Sequence, residues 1–369
     1  MIQTRRVLLC TGSGGVGKTT AAAAIAVEAA TRGQRVAVLT VDPARRLKDA
    51  LRLGDLDEHP RAVPIGNGAG HLDAMLLNVK GTFDQLVRTL AADTAQADRI
   101  LANRLYQNLS TSLIGSAEYM AVETLYRLAH EEDYDLLVVD TPPARHAVDF
   151  LDAPRRLVAL LDSRAFAILK NPASILPASG SRLASFVLAN VLRGLERITG
   201  IGLIREIGDF VALIDPLTAA LRERMTAVTA LLAGPRTAIV LVTSPEPRLA
   251  EEAGDLTESL ARLGLVVDGV IANRVLPRDL LADAPAAPDT LPADLQRRLV
   301  NVHRELAETA ARQQATLAPI VEEADAPLLA ELPLLSRPPA SVDDLRRLAV
   351  HLLDPRRPAD AVGAGVRSR

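Results

Sequence analysis

Eight residues near the start constrain this chain more than any others: Gly12-Ser13-Gly14-Gly15-Val16-Gly17-Lys18-Thr19. The run satisfies the spacing G-x-x-x-x-G-K-[ST]. An apolar segment, Val7–Cys10, precedes it, and an alanine-rich helical pattern follows from Thr20 to Ala30. Glycines let the backbone curl so that successive N–H groups point inward at phosphate oxygens. The helix behind them adds the positive end of its dipole. Gly14, Gly15, Val16, Gly17 and Thr20 are therefore candidate backbone contacts to a nucleotide. The Lys18 ammonium is spaced to reach the β- and γ-phosphates, and the Thr19 hydroxyl to bind Mg²⁺.

Such a loop needs a strand before it and a helix after it, and the rest of the chain supplies that rhythm. Short β-branched apolar runs recur at Val36–Val41, Leu72–Val79, Leu136–Val139, Ala238–Val242, Val266–Ala272 and Leu328–Leu332. Most lack polar alternation, as strands do when helices cover both faces of a sheet. The pattern predicts an α/β fold, a doubly wound, mostly parallel sheet of the P-loop NTPase type. Residues 81–130 and 155–232 carry helical spacing with no strand between, for example Leu183, Val187, Val191 and Leu195. They are read as an inserted helical subdomain. Residues 1–80 with 131–154 and 233–353 then form the P-loop domain. Residues 277–293, rich in Pro, read as a loop, and 354–369 as a flexible tail.

Two acidic strand ends complete the candidate site. Asp42 in Thr40-Val41-Asp42-Pro43 and Asp140 in Leu136-Leu137-Val138-Val139-Asp140-Thr141-Pro142-Pro143 each close an apolar run. Ligands of open parallel sheets sit outside the carboxyl ends of the strands, so both carboxylates belong to the crevice of the glycine loop. Asp42 can orient or deprotonate an attacking water, or cap the next helix with Pro43 at its first turn. Asp140 has the Walker B position, suited to Mg²⁺ directly or through water. His146 and the Arg45–Arg46 pair have solvent-exposed roles as their simplest reading.

Composition removes several function classes. With 42 basic and 45 acidic side chains the net charge is −3, which gives no electrostatic case for nucleic acid. Aromatic residues make up 2%, too few for base stacking. The single cysteine, Cys10, rules out an intrachain disulfide and any multi-cysteine site within one chain. Arg5 and Arg6 precede too short an apolar run for a signal peptide. No uncharged run approaches the ~18–20 residues of a membrane span. A cytoplasmic protein is expected.

Gly12–Thr20, Val41-Asp42-Pro43-Ala44 and Asp140-Thr141-Pro142-Pro143-Ala144-Arg145-His146 resemble the P-loop, switch I and switch II of ArsA-type ATPases. That family includes the arsenite-efflux ATPase and the targeting factor for tail-anchored membrane proteins. The similarity continues through Thr243-Ser244-Pro245-Glu246 and Val270-Ile271-Ala272-Asn273-Arg274 to Leu332-Pro333-Leu334. The resemblance implies an Mg²⁺-dependent ATPase working as a nucleotide-gated dimer. Asn273 and the loop at Pro333 would contact adenine, Asp42 would be the catalytic carboxylate, and Asp42, Pro43, Asp140, Thr141 and Pro142 would form the switches. Three departures stand out. Ser13 occupies the place of the family's signature lysine, the metalloid-binding cysteines are absent, and so is the zinc-binding Cys-x-x-Cys. Either a homodimer or a heterodimer with a paralogous ATPase carrying that lysine is therefore expected, acting on a protein or membrane-associated client. An ATP-gated chaperone for hydrophobic helices and a small-molecule phosphoryl-transfer enzyme remain alternatives. The chaperone requires an exposed apolar patch, the enzyme a polar cavity facing the γ-phosphate.

Overall fold

The computed structural model describes residues 5–41, 46–53, 59–66, 70–112, 116–170, 201–282 and 291–353. They fall into two compact units, one of residues 1–77, 128–149 and 231–369 and one of residues 78–127 and 150–230.

The first unit is built on eight strands: β1 (Val7–Thr11), β2 (Arg35–Thr40), β3 (Arg61–Ala62), β4 (His71–Leu76), β5 (Leu136–Asp140), β6 (Thr237–Thr243), β7 (Gly269–Val275) and β8 (Leu328–Pro333). Their order is β3-β4-β2-β5-β1-β6-β7-β8, and every pair is parallel except β3 with β4. Chain direction across the sheet reverses about β1, which the first crossover leaves toward β2 and a later one flanks with β6. That reversal opens a crevice at the carboxyl ends of β1, β5 and β6. β1, β5 and β6 are buried along their whole length, which is why they read as unbroken apolar runs. The two-residue edge strand β3 is too short to leave a periodicity. β7 begins three residues later than its apolar run, because Val266 is exposed and Asp268 turns inward to accept from the Ile239 N–H.

Helix α1 (Lys18–Thr31) explains its own composition. Ala21, Ala22, Ala23, Ala24, Ala26 and Ala30 are all fully buried, and the helix packs on β1, β2, β4, β5, α2 (Arg46–Leu51) and a C-terminal helix, Val342–Leu353. A helix surrounded on every side needs no polar face, and small side chains allow close approach to the sheet. Among the described residues no helix is long and apolar enough to cross a membrane.

The second unit is helical throughout its described residues: α3 (Val79–Leu90), α4 (Thr94–Ala102), α5 (Arg104–Ser112), α6 (Ser116–His130), α7 (Ala144–Leu161), α8 (Arg164–Lys170), α9 (Ile201–Ile214) and α10 (Thr218–Ala233). Helix α6 runs on into the first unit, and α7 starts there. Asn78 and Asp93 cap α3 and α4 through bonds from Gly81 N and Gln96 N, at 3.0 and 2.7 Å. Val87, Ile100, Tyr106, Phe210 and Leu217 form one apolar cluster and Leu161, Phe166 and Val211 another. The repeat Leu183–Leu195 and the tail 354–369 lie outside the described residues. The Pro-rich stretch contains a short 3₁₀ turn at Arg278–Leu281, with 283–290 outside the description. Helix α11 is Leu249–Arg262, α12 is Ala293–Glu323 and α13 is Val342–Leu353. The 31-residue α12 occupies a stretch to which sequence patterning assigns no element.

The sheet demands a glycine where β1 ends. Gly12 has φ 145°, and a Cβ there would lie 2.1 Å from the Val242 carbonyl oxygen of β6. Gly12→Ala is expected to destabilise the protein by about 2 kcal/mol through backbone strain, read as a lower urea midpoint with an unchanged slope.

Candidate functional site

The glycine loop lies between β1 and α1. Gly15 and Gly17 have φ of 81° and 102°, in the left-handed region that glycine enters without a side-chain clash. A Cβ on Gly17 would meet the Asn273 amide nitrogen at 2.1 Å, so the loop and β7 touch backbone to side chain. Gly14 and Gly15 are exposed. Gly17 caps α1 without a side-chain bond, leaving the first N–H groups of the helix for an anion. The Lys18 ammonium, 8% exposed, donates to the carbonyls of Gly12 at 3.1 Å and Ser13 at 2.9 Å. It lies folded along the loop that an incoming phosphate would share.

Strand register builds the acidic side. Asp140 pairs across β5 with Cys10 of β1 and Thr40 of β2. Its Oδ2 accepts from the Thr19 hydroxyl at 2.7 Å and from the Thr40 hydroxyl at 3.0 Å. Thr19 and Asp140 thus meet as a hydroxyl and a carboxylate at the mouth of the loop. One carboxylate and one hydroxyl, completed by waters and phosphate oxygens, is a donor set that suits Mg²⁺. The segment after β5 is tied to the same loop, since Thr141 Oγ1 donates to the Cys10 carbonyl at 2.9 Å and Ala144 N to the Gly12 carbonyl at 3.0 Å. Pro142 lies between these two bonds.

Asn273 follows from β7. Its amide donates to the Val16 carbonyl at 2.8 Å, and its Oδ1 accepts from Arg274 N at 2.9 Å. Arg274 has φ 63°, and the β7–β8 register slips between Ala272 and Val275. This bulge turns Asn273 toward the loop, where the Val16 carbonyl takes one of its two amide hydrogens. Pro333 closes β8 and pairs with Val275, two residues on along β7. Thr20 lies in the first turn of α1. The structure therefore gathers Gly14 to Thr20, Asp140, Thr141, Pro142 and Asn273 at the carboxyl ends of the strands, with Pro333 at the end of the strand beside β7. Asp42 and Pro43 lie outside the described residues.

Two partners escape sequence reading. Thr40 reaches Asp140 across 100 residues, a contact set by register alone. Ser13 Oγ donates to the Glu252 carboxylate in the first turn of α11, 239 residues away. Cys10 is buried, and burial first, with the adjacent Asp140 charge second, pushes its thiol pKa well above the ordinary range. Among the described residues no cluster of three His, Cys, Asp or Glu side chains is arranged to hold a metal.

A sequence model of the anion-transporting ATPases matches residues 5–287. The chain is 35% identical over 281 residues to an uncharacterized protein of Streptomyces coelicolor, covering 76% of this chain and 65% of that one. It is 30% identical over 156 residues to ATPase get3 of Aspergillus terreus, 41% of this chain and 44% of the relative. A protein of Aquifex aeolicus named as an arsenical pump-driving ATPase is 26% identical over 275 residues, 74% and 81% of the two chains. The matches thus span less than two thirds of the first two relatives.

The buried thiol gives a direct test. Iodoacetamide at neutral pH is expected to leave Cys10 unmodified in the folded protein and to alkylate it fully in urea. Fast labelling of the native chain would show a reachable thiolate.

Proposed function

The chain belongs to the family of anion-transporting ATPases, and from that premise we propose that it is an Mg²⁺-dependent ATP hydrolase acting as a nucleotide-gated dimeric switch. The observation that carries this reading is the 2.7 Å contact between Thr19 and Asp140 beside the glycine loop. Gly14 to Thr20 bind the phosphates through their N–H groups, and Lys18 leaves the Gly12 and Ser13 carbonyls to bridge the β- and γ-phosphates. Thr19, and Asp140 through water, would hold a divalent cation, which when bound would supply charge neutralisation at the phosphate oxygens. The second amide hydrogen of Asn273 and the chain at Pro333 address the adenine. Asp42 orients the attacking water, whose oxygen bonds to the γ-phosphorus as the bond to the ADP oxygen breaks. The protons of that water leave with inorganic phosphate and solvent.

The switch reading rests on connectivity. Asp42 and Pro43 follow β2 in the chain, and Asp140 ends β5 with Thr141 and Pro142 after it, the two strands that lie in succession on one side of β1. The Ala144–Gly12 bond couples the second segment to the glycine loop, and α7 starts at Ala144. Loss of the γ-phosphate then changes what these segments hold, which is how a hydrolysis step becomes a shape change.

Ser13 shapes the oligomer. A hydroxyl cannot carry positive charge to another subunit's phosphates, and here it is bonded to Glu252 of its own chain. Hydrolysis by a homodimer is therefore slow, and a paralogous subunit with lysine at this place would accelerate it.

Lys18→Ala is expected to weaken ATP binding about a hundredfold through the lost charge-assisted hydrogen bonds, measured by calorimetry with Mg²⁺. Asp42→Asn should bind ATP normally and lose about 10²- to 10⁴-fold in turnover, and EDTA should abolish turnover in the wild type. Unchanged ATP affinity in the Lys18 variant would sink the site assignment.

Ser13→Lys is expected to raise the phosphate-release rate of the isolated chain. A rate that is already concentration-independent and unaffected by the change would remove any need for a residue from a second subunit.

A further inference from the structure

Five of the large apolar side chains exposed on this protein lie in the first half of α12: Leu295, Leu299, Val300, Val302 and Leu306. No residue of α12 before Ala310 is buried, whereas Ala310, Leu317 and Ile320 are. The second half is anchored to the sheet unit through Gln313, which accepts from Leu276 N, and Gln314, which donates to Glu331. Leu295, Leu299, Val302 and Leu306 are 40, 46, 52 and 39% exposed. Their successive spacings of four, three and four residues make one straight stripe, the seam of a coiled coil. A stripe of this length on a soluble helix marks a contact surface.

We propose that this stripe pairs antiparallel with the same stripe of a second copy of the chain. Charge selects both the partner and the direction. Outside the stripe, Arg298 precedes Leu299 and Glu305 precedes Leu306, so both occupy the same flank position one heptad apart. Among the described residues neither side chain forms an ion pair. With the helices antiparallel, Leu299 meets the partner's Val302 and Leu295 meets the partner's Leu306. Arg298 then lies beside the partner's Glu305, and two-fold symmetry makes that ion pair twice. A parallel pair would instead set Arg298 beside His303 and Glu305 beside Ala310, with no complementary charge. Direction also follows from anchoring. The antiparallel arrangement sends the two anchored second halves to opposite ends of the seam, and a parallel one would force both bodies to the same end.

The proposal rests on the dimer reading only in naming a second copy, and it differs from that reading in needing no nucleotide. Sedimentation velocity of the full-length, nucleotide-free protein at micromolar concentration separates the two. The wild type is expected to dimerise. Val302→Glu, at an exposed position that leaves the core intact, should raise the dissociation constant about a hundredfold by placing two carboxylates in the apolar seam. Arg298→Glu and Glu305→Arg should each raise it about tenfold, and the double exchange should return it near the wild-type value. A monomeric wild type, with its stripe covered by its own chain, overturns the proposal. So does a Val302→Glu variant that associates like the wild type, or a double exchange no better than the single ones. A dimer that forms only with ATP and ignores Val302→Glu would refute the seam and leave the gating standing. A nucleotide-insensitive dimer lost in Val302→Glu would do the reverse.

Discussion

One carboxylate holds the working end of this protein together. Asp140 is 1% exposed and accepts two hydroxyl bonds, from Thr19 on α1 and Thr40 on β2. A buried charge is costly unless its lone pairs are engaged, so β1, β2 and β5 must keep a common register for those bonds to form. The same bonds fix the first turn of α1 against the strand ends, and that turn carries the N–H groups that no side chain caps. A cation at Thr19 would add to this arrangement, because the hydroxyl oxygen retains lone pairs while its hydrogen stays on Asp140. The site is therefore preorganised by the force that also aligns the sheet.

Close approach is the second constraint. Alanines along α1 and glycines at 12 and 17 remove side-chain volume where helix, loop and strands must touch. The missing Cβ atoms leave room for the Val242 carbonyl and for the Asn273 amide, and those contacts bring β6 and β7 up to the loop. Tight packing of small residues gives little tolerance: one methyl group at either glycine meets a polar atom rather than a gap.

Much of this was legible in the amino-acid order. The glycine loop, Thr19 and Asp140 could be read because local spacing dictates them, and the buried strands because their runs are uninterrupted. What escaped depends on distance along the chain. Thr40 and Glu252 matter only once register brings them to Asp140 and Ser13, and no local pattern announces that. Arg274 shows the same limit, since the bulge that aims Asn273 arises from the β7–β8 pairing. The late start of β7 was hidden because Val266 looks like strand yet faces solvent, while Asp268 bonds inward to Ile239 and Arg5. Helix α12 lacks a buried stripe through its first half, so the usual sign of a core-facing helix is missing there.

That unburied half bears on how the proposed nucleotide-gated dimer could work. Two subunits that meet only through bound nucleotide must find each other anew in every cycle, at a rate set by their concentration. A constitutive seam along α12 would turn that encounter into an intramolecular one, with an effective concentration in the millimolar range for a short connection. Gating would then act on the orientation of subunits already held together. Such a seam must stay formed as the nucleotide faces open and close, which favours apolar contact over ion pairs alone, since exposed ion pairs contribute little on their own. Leucine and valine along the stripe supply the holding force, and Arg298 with Glu305 supplies the direction.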